Sequence, residues 1–356
     1  MGKFQFWLPT KLTRIQRRAV DSREPIFLSG VPGTGKTVVS IKRLQNTDNA
    51  IIFTYGKLLK KTIQEKLNDE NKPVDNIHNW MWNVQDDGME MGFKAFTSNE
   101  NLKDSIQKLK AKGIRYNEIL VDEGQDLSIN TYKILSELTD KLSISADNAQ
   151  QINNKEYATN EEEIVKYFSN LRPFELDEVF RSAYELYVFA IQFVPNNTRA
   201  HNPILLEKLK GANSGADKPL VYLEPNLDSM YTVIKDIIDE NPTDNIGIFF
   251  EKIHQVDQFA RELQKHCDLS TYHSIQRVVP SELKNIILTT FKSAKGIEFD
   301  IVIIPYFEND AKGVPEEYYV GVTRAKNQVH FLSIGNIPSI IKNFNQDTYE
   351  LIDERG

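Results

Sequence analysis

The run Gly30-Val31-Pro32-Gly33-Thr34-Gly35-Lys36-Thr37 satisfies G-x-x-x-x-G-K-[ST] at every required position. It lies between the apolar run Ile26-Phe27-Leu28 and a helical pattern from Thr37 to Gln45. A glycine loop set between a strand and a helix is the context in which this pattern binds phosphate. Gly33 and Gly35 let backbone N–H groups curl around phosphate oxygens, and the following helix presents its positive end. Lys36 is placed to neutralise the β/γ charge, and the Thr37 hydroxyl to ligate Mg²⁺. A plain glycine-rich turn is the competing reading, and the complete set of residue types argues against it.

Such a loop demands a parallel sheet, and the pattern supplies one. Short apolar runs recur between helical stretches: Ile51 to Thr54, Ile119 to Val121 and Leu142 to Ser145, then Ile246 to Phe250, Ile286 to Thr289, Ile301 to Ile304 and Val329 to Ser333. Strands rich in Ile and Val and separated by helices predict parallel sheets covered on both faces. The 356 residues are enough for two domains with their own cores. The expected architecture is α/β, two tandem phosphate-loop-type domains with parallel sheets, spanning 1–165 and 166–356. The stretch from Pro195 to Pro219, with Asn202-Pro203 and Gly211-Ala212-Asn213-Ser214-Gly215, is the loosest by composition.

Ile119-Leu120-Val121-Asp122-Glu123-Gly124-Gln125-Asp126 is a buried-strand pattern ending in acid. Strand-end carboxylates face the phosphate loop in such sheets. Asp122 is the expected Mg²⁺ partner of Thr37, and Glu123 the base that orients and deprotonates the attacking water. An acidic solvated turn is the bland alternative.

The net charge of −7 restricts any nucleic-acid site to a local stripe. No apolar run approaches the roughly 18 residues that span a bilayer, so no membrane role is read. Gly2 stands where myristoylation begins, but Phe6 occupies the position that wants Ser or Thr. Cys267 is the single cysteine, and a reducing, cytoplasmic setting is the expectation. His266, Cys267 and His273 lack a fourth ligand, so no metal centre is read there.

Asp122-Glu123-Gly124-Gln125-Asp126 resembles the D-E-x-Q-D of superfamily 1 DNA helicases of the UvrD/Rep type, and further elements follow in that family's order. Leu12-Thr13-Arg14-Ile15-Gln16 resembles the Q motif, which implies that Gln16 reads the adenine edge. Phe53-Thr54-Tyr55-Gly56-Lys57 resembles motif Ia, and Ile77-His78-Asn79-Trp80 the element after it. Asp147-Asn148-Ala149-Gln150-Gln151-Ile152 resembles motif III, with Gln150 as γ-phosphate sensor. Val179-Phe180-Arg181-Ser182 resembles the N-Y-R-S element, which implies adenine stacking by Phe180 and an arginine finger in Arg181. Thr290 to Phe299 is similar to motif V, placing Gly296 and Glu298 near the γ-phosphate and ribose. Tyr319 to Lys326 resembles motif VI and supplies the second finger, Arg324. Eight such elements span residues 12 to 326.

The resemblance implies two RecA-like domains with ATP-Mg²⁺ hydrolysed in the cleft between them, Lys36, Gln150, Arg181 and Arg324 acting on the phosphates and Glu123 on the attacking water. It also implies a single-stranded nucleic-acid partner, DNA ahead of RNA, met by Tyr55, Lys57, His78, Trp80 and Lys292. A core position is the competing reading for Trp80 and Trp82, and a solvated face for the helix bearing Lys57, Lys60, Lys61 and Lys66.

The chain also departs from the family. About 35 residues separate Trp82 from Asn117 and about 20 separate Cys267 from Ile287, too few for the family's 1B and 2B insertions. Asn153-Asn154-Lys155 follows motif III in place of an aromatic and an arginine, Gly56 replaces an asparagine, Val38 an arginine and Lys292 a histidine. Those changes leave a second reading open: an ATP-switched, nucleic-acid-sensing partner of a nuclease or effector that does not unwind duplex.

Overall fold

Runs of Ile, Val, Leu and Phe alternating with amphipathic helices assemble, in this computed structural model, into two sheets whose strands are parallel throughout. The structure describes residues 2–5, 11–67, 69, 71–85, 99–151, 158–273, 276, 279–308 and 315–355. The chain divides into a first unit, Leu8–Asp177, and a second unit made of Glu178–Gly356 with Met1–Trp7. This is the α/β class expected from the strand pattern.

The first unit runs α1 (Arg14–Val20), β1 (Ile26–Gly30), α2 (Lys36–Asn46), β2 (Ala50–Thr54), α3 (Lys57–Leu67), β3 (Val74–Asn76), α4 (Ile77–Gln85), α5 (Asn99–Ala111), β4 (Glu118–Val121), α6 (Ile129–Ser136), β5 (Leu142–Ala146), α7 (Glu161–Tyr167) and β6 (Arg172–Leu176). Its sheet order is β3-β2-β4-β5-β1-β6. Strand β5 therefore lies between the strand entering the phosphate loop and the strand ending in acid. β1 is buried on both sides: Phe27 joins a core with Phe53, Val121 and Ile144, while Ile26 and Leu28 face Ala19, Val39 and Leu176. That two-sided burial is why these strands read as apolar runs without alternation.

β6 pairs with β1 from Ile26↔Arg172 to Gly30↔Leu176, so the first sheet continues beyond residue 165. Pro173 has no N–H to donate, which suits β6 to its place at the sheet edge.

The second unit holds α8 (Tyr184–Ala190), α9 (Pro203–Ala212), β7 (Leu220–Glu224), α10 (Leu227–Glu240), β8 (Ile246–Phe250), α11 (Ile253–Leu263), β9 (Ser270–Tyr272), β10 (Ile286–Thr290), β11 (Phe299–Ile304), α12 (Pro315–Val322), β12 (Ala325–Ile334) and β13 (Glu350–Asp353). Its order is β13-β7-β12-β11-β8-β10-β9. Ile246, Ile248, Phe250, Leu288, Ile301 and Ile303 form the core against α10 and α11.

Candidate functional site

The first-unit site gathers at the C-terminal ends of β1, β4 and β5. Gly30 leaves β1 with φ of 153°, and Gly33 and Gly35 turn through φ of 79° and 87°. At Gly35 a Cβ would lie 2.5 Å from Nε2 of Gln16, so space and backbone both require glycine. Gly35 also begins α2 without any side-chain cap. The first-turn N–H groups of α2 are thus left for a ligand.

Lys36 is buried and folds back over its own loop, donating to the carbonyls of Gly30 at 2.6 Å and Val31 at 3.3 Å. The Thr37 hydroxyl donates to Oδ2 of Asp122 at 2.7 Å, and Ser145 from β5 donates to Oδ1 at 2.6 Å. Burial, and then the charge of Glu123, push the Asp122 carboxyl above its usual range. A divalent cation there would offset both effects. The pairing of Thr37 with Asp122 fits such an ion, since both oxygens suit Mg²⁺.

Glu123 has φ of 56°, a left-handed conformation that costs a non-glycine residue roughly 1–3 kcal/mol. Gln125 donates to its Oε2 at 2.6 Å. The same Gln125 accepts from the N–H of Asp147 at 3.1 Å, and Asp147 in turn accepts from Nε2 of Gln150 at 2.9 Å. Glu123 and Gln150 are therefore joined through Gln125 and Asp147. Gly124 has no room for a side chain, because a Cβ would collide with the Tyr132 hydroxyl and lie 2.8 Å from Ile144.

Gln16 lies beneath the loop. Its Oε1 accepts from Thr13 N at 2.9 Å as part of the box that caps α1, and its Nε2 donates to Thr34 O at 2.9 Å. The structure makes it a strut of the phosphate loop, a role the motif did not suggest.

Tyr55 and His78 meet edge to face at 6.1 Å. Asn76 binds the two segments together, donating to Tyr55 O and accepting from the N–H groups of His78 and Asn79 at 3.2 Å. Burial, and then the nearby Lys57, lower the His78 pKa to about 4, so the ring is neutral near pH 7 and carries no charge to a phosphate. The expectation for Trp80 is corrected. It is 7% exposed and packs edge to face on Phe53 at 5.0 Å, because α4 turns its apolar face toward β2. Along α3, Lys60 pairs with Asp75 at 2.6 Å and Lys61 with Glu65 at 3.0 Å. Ile152 to Lys155 lie outside the described residues.

In the second unit Arg181 pairs with Glu298 and reaches Thr323 O at 3.5 Å. Its Nε is buried without a hydrogen-bond partner among the described residues. Arg324 is 1% exposed and donates to Val320 O at 3.2 Å and Thr323 Oγ1 at 3.4 Å, back toward α12. Phe180 is 48% exposed, unusual for so large an apolar ring and suited to stacking. Gly296 has φ of 80°. Lys292 is exposed. Burial raises the neighbouring Glu317 to about 7, against the opposing charge of Lys292.

Residues 16–154 match the family model AAA_19, described as an AAA domain. No curated protein matches the chain. Among solved structures, the C-terminal domain of a possible DNA helicase from Lactobacillus plantarum WCFS1 is 17% identical with a TM-score of 0.37, covering 48% of this chain and 98% of that one. The Arterivirus nonstructural protein 10 helicase with DNA is 11% identical with a TM-score of 0.45, covering 92% and 64%. The PRRSV helicase is 11% identical with a TM-score of 0.45, covering 90% and 54%. The chain thus spans less than two thirds of either viral helicase. No helix among the described residues is long and apolar enough to cross a membrane.

Proposed function

We propose that the chain hydrolyses ATP in response to single-stranded nucleic acid, as a compact relative of the UvrD/Rep-type superfamily 1 helicases that moves along a strand. The observation that carries this reading is the 2.7 Å contact between Thr37 of the phosphate loop and Asp122 of the acidic strand. Thr37 and Asp122 would hold Mg²⁺, which when bound would neutralise charge on the β- and γ-phosphates.

Lys36 would exchange its loop carbonyls for phosphate oxygens, and the uncapped first turn of α2 would add its N–H groups. Glu123 would accept a proton from the attacking water, while Gln150 senses the γ-phosphate. Arg181 and Arg324 would stabilise charge that grows toward the transition state, in a cleft closed by both units. Phe180 would stack on adenine, and Gly296 and Glu298 would approach the γ-phosphate and ribose. Tyr55, Lys57 and Lys292 are the proposed strand contacts, with DNA ahead of RNA.

Burial of Trp80 and the pairing of Lys60 and Lys61 leave a thinner strand track, which favours a second reading: an ATP-driven switch that signals to a nuclease or effector. Steady-state ATP turnover without polymer, and with single-stranded DNA, duplex DNA and RNA, tests the class. Oligonucleotide length separates the two modes. A translocase consumes more ATP per binding event on longer strands, whereas a switch stops responding once its footprint is filled.

A further inference from the structure

Residues 2–5 belong to the second unit, although residues from Arg14 onward build the first. Lys3 bridges Lys284 in antiparallel fashion, Phe4 N donates to Leu283 O at 3.0 Å, and Asn285 N donates to Gly2 O at 3.1 Å. The Asn245 side chain completes the docking: Oδ1 accepts from Gln5 N at 3.2 Å and Nδ2 donates to Gln5 O at 3.1 Å. Phe4 is 6% exposed and meets Phe299 edge to face at 5.5 Å. Asn245 precedes β8, Asn285 precedes β10 and Phe299 opens β11, so all these contacts fall at the N-terminal end of the second sheet.

That end also carries Glu298 and Arg324. Phe299 N donates to Arg324 O at 2.9 Å. Glu298, the preceding residue, pairs with Arg181 and lies 3.9 Å from Lys326. Asn245 grips the same stretch through its backbone: its N–H donates to Asp300 Oδ2 at 2.9 Å, and its carbonyl accepts from Asp300 N at 2.9 Å and Ile301 N at 3.1 Å. One residue thus holds residues 2–5 with its side chain and the start of β11 with its main chain.

We propose that residues 2–5 form a positioning strap for Glu298 and Arg324, with Phe4 and Asn245 as its positioning residues. The inference rests on the reading that Glu298 and Arg324 meet the nucleotide. Phe4 covers the ring of Phe299, and Phe299 supplies the amide that holds the Arg324 carbonyl. Without that cover the segment 298–301 gains freedom at the point where an ångström of misplacement costs rate.

The test is Phe4→Ala in the full chain, with Phe4→Leu as the conservative variant that restores cover. Amide exchange read without nucleotide is expected to quicken at Phe299 by about tenfold in Phe4→Ala, to recover in Phe4→Leu, and to stay unchanged in β7 and β13. ATP turnover should then show kcat lowered by roughly three- to tenfold with KM less affected, because the arginine acts mainly in the transition state. Unchanged exchange at Phe299, or faster exchange with unchanged kcat, overturns the proposal. Because exchange is measured without nucleotide, it decides the strap's hold on Phe299 even in a chain that turns over no ATP. Should Phe4→Ala not fold, Gln5→Pro, which removes the strap's N–H donor to Asn245 and restricts the backbone at positions 4 and 5, is expected to give the same pattern.

Discussion

Arg43 of α2 and Glu118 of β4 form a fully buried ion pair at 2.6 Å. The remaining donors of Arg43 reach the carbonyls of Ala19 at 2.6 Å and Ser22 at 2.9 Å, while Ser143 donates to Glu118 at 2.6 Å and Lys141 lies 3.3 Å from it. One guanidinium therefore joins α2, the end of α1 and β4, and Glu118 carries the link on to Ser143 of β5.

Removing it takes the bidentate partner from a buried carboxylate and leaves it Lys141 and Ser143. Arg43→Ala is expected to cost about 3–5 kcal/mol in urea unfolding, the usual penalty for breaking a buried pair. Arg43→Lys should remain strongly destabilised, since an ammonium cannot reproduce the fork. A loss below about 1 kcal/mol in Arg43→Ala would show that the network does not hold the first unit together.

Burial lowers the His330 pKa to about 4, with the ring stacked on Tyr222 at 6.0 Å. The folded chain then binds fewer protons than the unfolded chain between about pH 4 and 6.5, so stability rises with pH across that window and is lost as pH falls through it. At 1.36 kcal/mol per unit, this group accounts for up to about 3 kcal/mol. His330→Phe should flatten the stability profile by that amount, because His78 and Glu317 remain in both proteins. Denaturant titrations at pH 4.5 and 7 check it, and parallel profiles would contradict it.

Arg181→Ala and Arg324→Ala should each lower kcat with nucleotide affinity changed much less, and their effects should not add. The two differ in structural cost. Arg324 is buried and bonded inward, so its loss should also lower the melting temperature, whereas loss of Arg181 releases a partly exposed Glu298 and should leave it nearly unchanged. Kinetics and thermal unfolding on the same preparations separate the two. Wild-type turnover in both variants would sink their proposed role.

The phosphate loop and the acidic strand were legible because glycine geometry and strand-end carboxylates are local requirements. Strands β2, β4, β5, β8, β10, β11 and β12 were legible as apolar runs buried on both faces. Less was visible where meaning depends on a distant partner. Asn202-Pro203 reads as a loose segment, yet Asn202 caps α9, accepting from Ile204 N at 2.9 Å, with Pro203 at the first helical position. Strand β6 carries Arg172, Pro173 and Glu175 among its apolar residues, as an edge strand can, so no apolar run marks it. The core place of Trp80 depends on Phe53, and the strut role of Gln16 on Thr34. Neither partner can be chosen from spacing alone. Motif resemblance carries residue order but not the local packing that aims a side chain such as Trp80.

Glu123 is central to the proposed chemistry, and Glu123→Gln keeps its shape and its contact with Gln125 while removing the base. The most direct measurement compares nucleotide binding and steady-state ATP turnover of this variant with the unaltered chain, both in saturating single-stranded DNA. The prediction is polymer-stimulated turnover in the unaltered chain, and retained nucleotide binding with kcat lowered at least roughly 10²-fold in Glu123→Gln. Near-normal hydrolysis by the variant, or no hydrolysis by the unaltered chain with any polymer, would contradict the account.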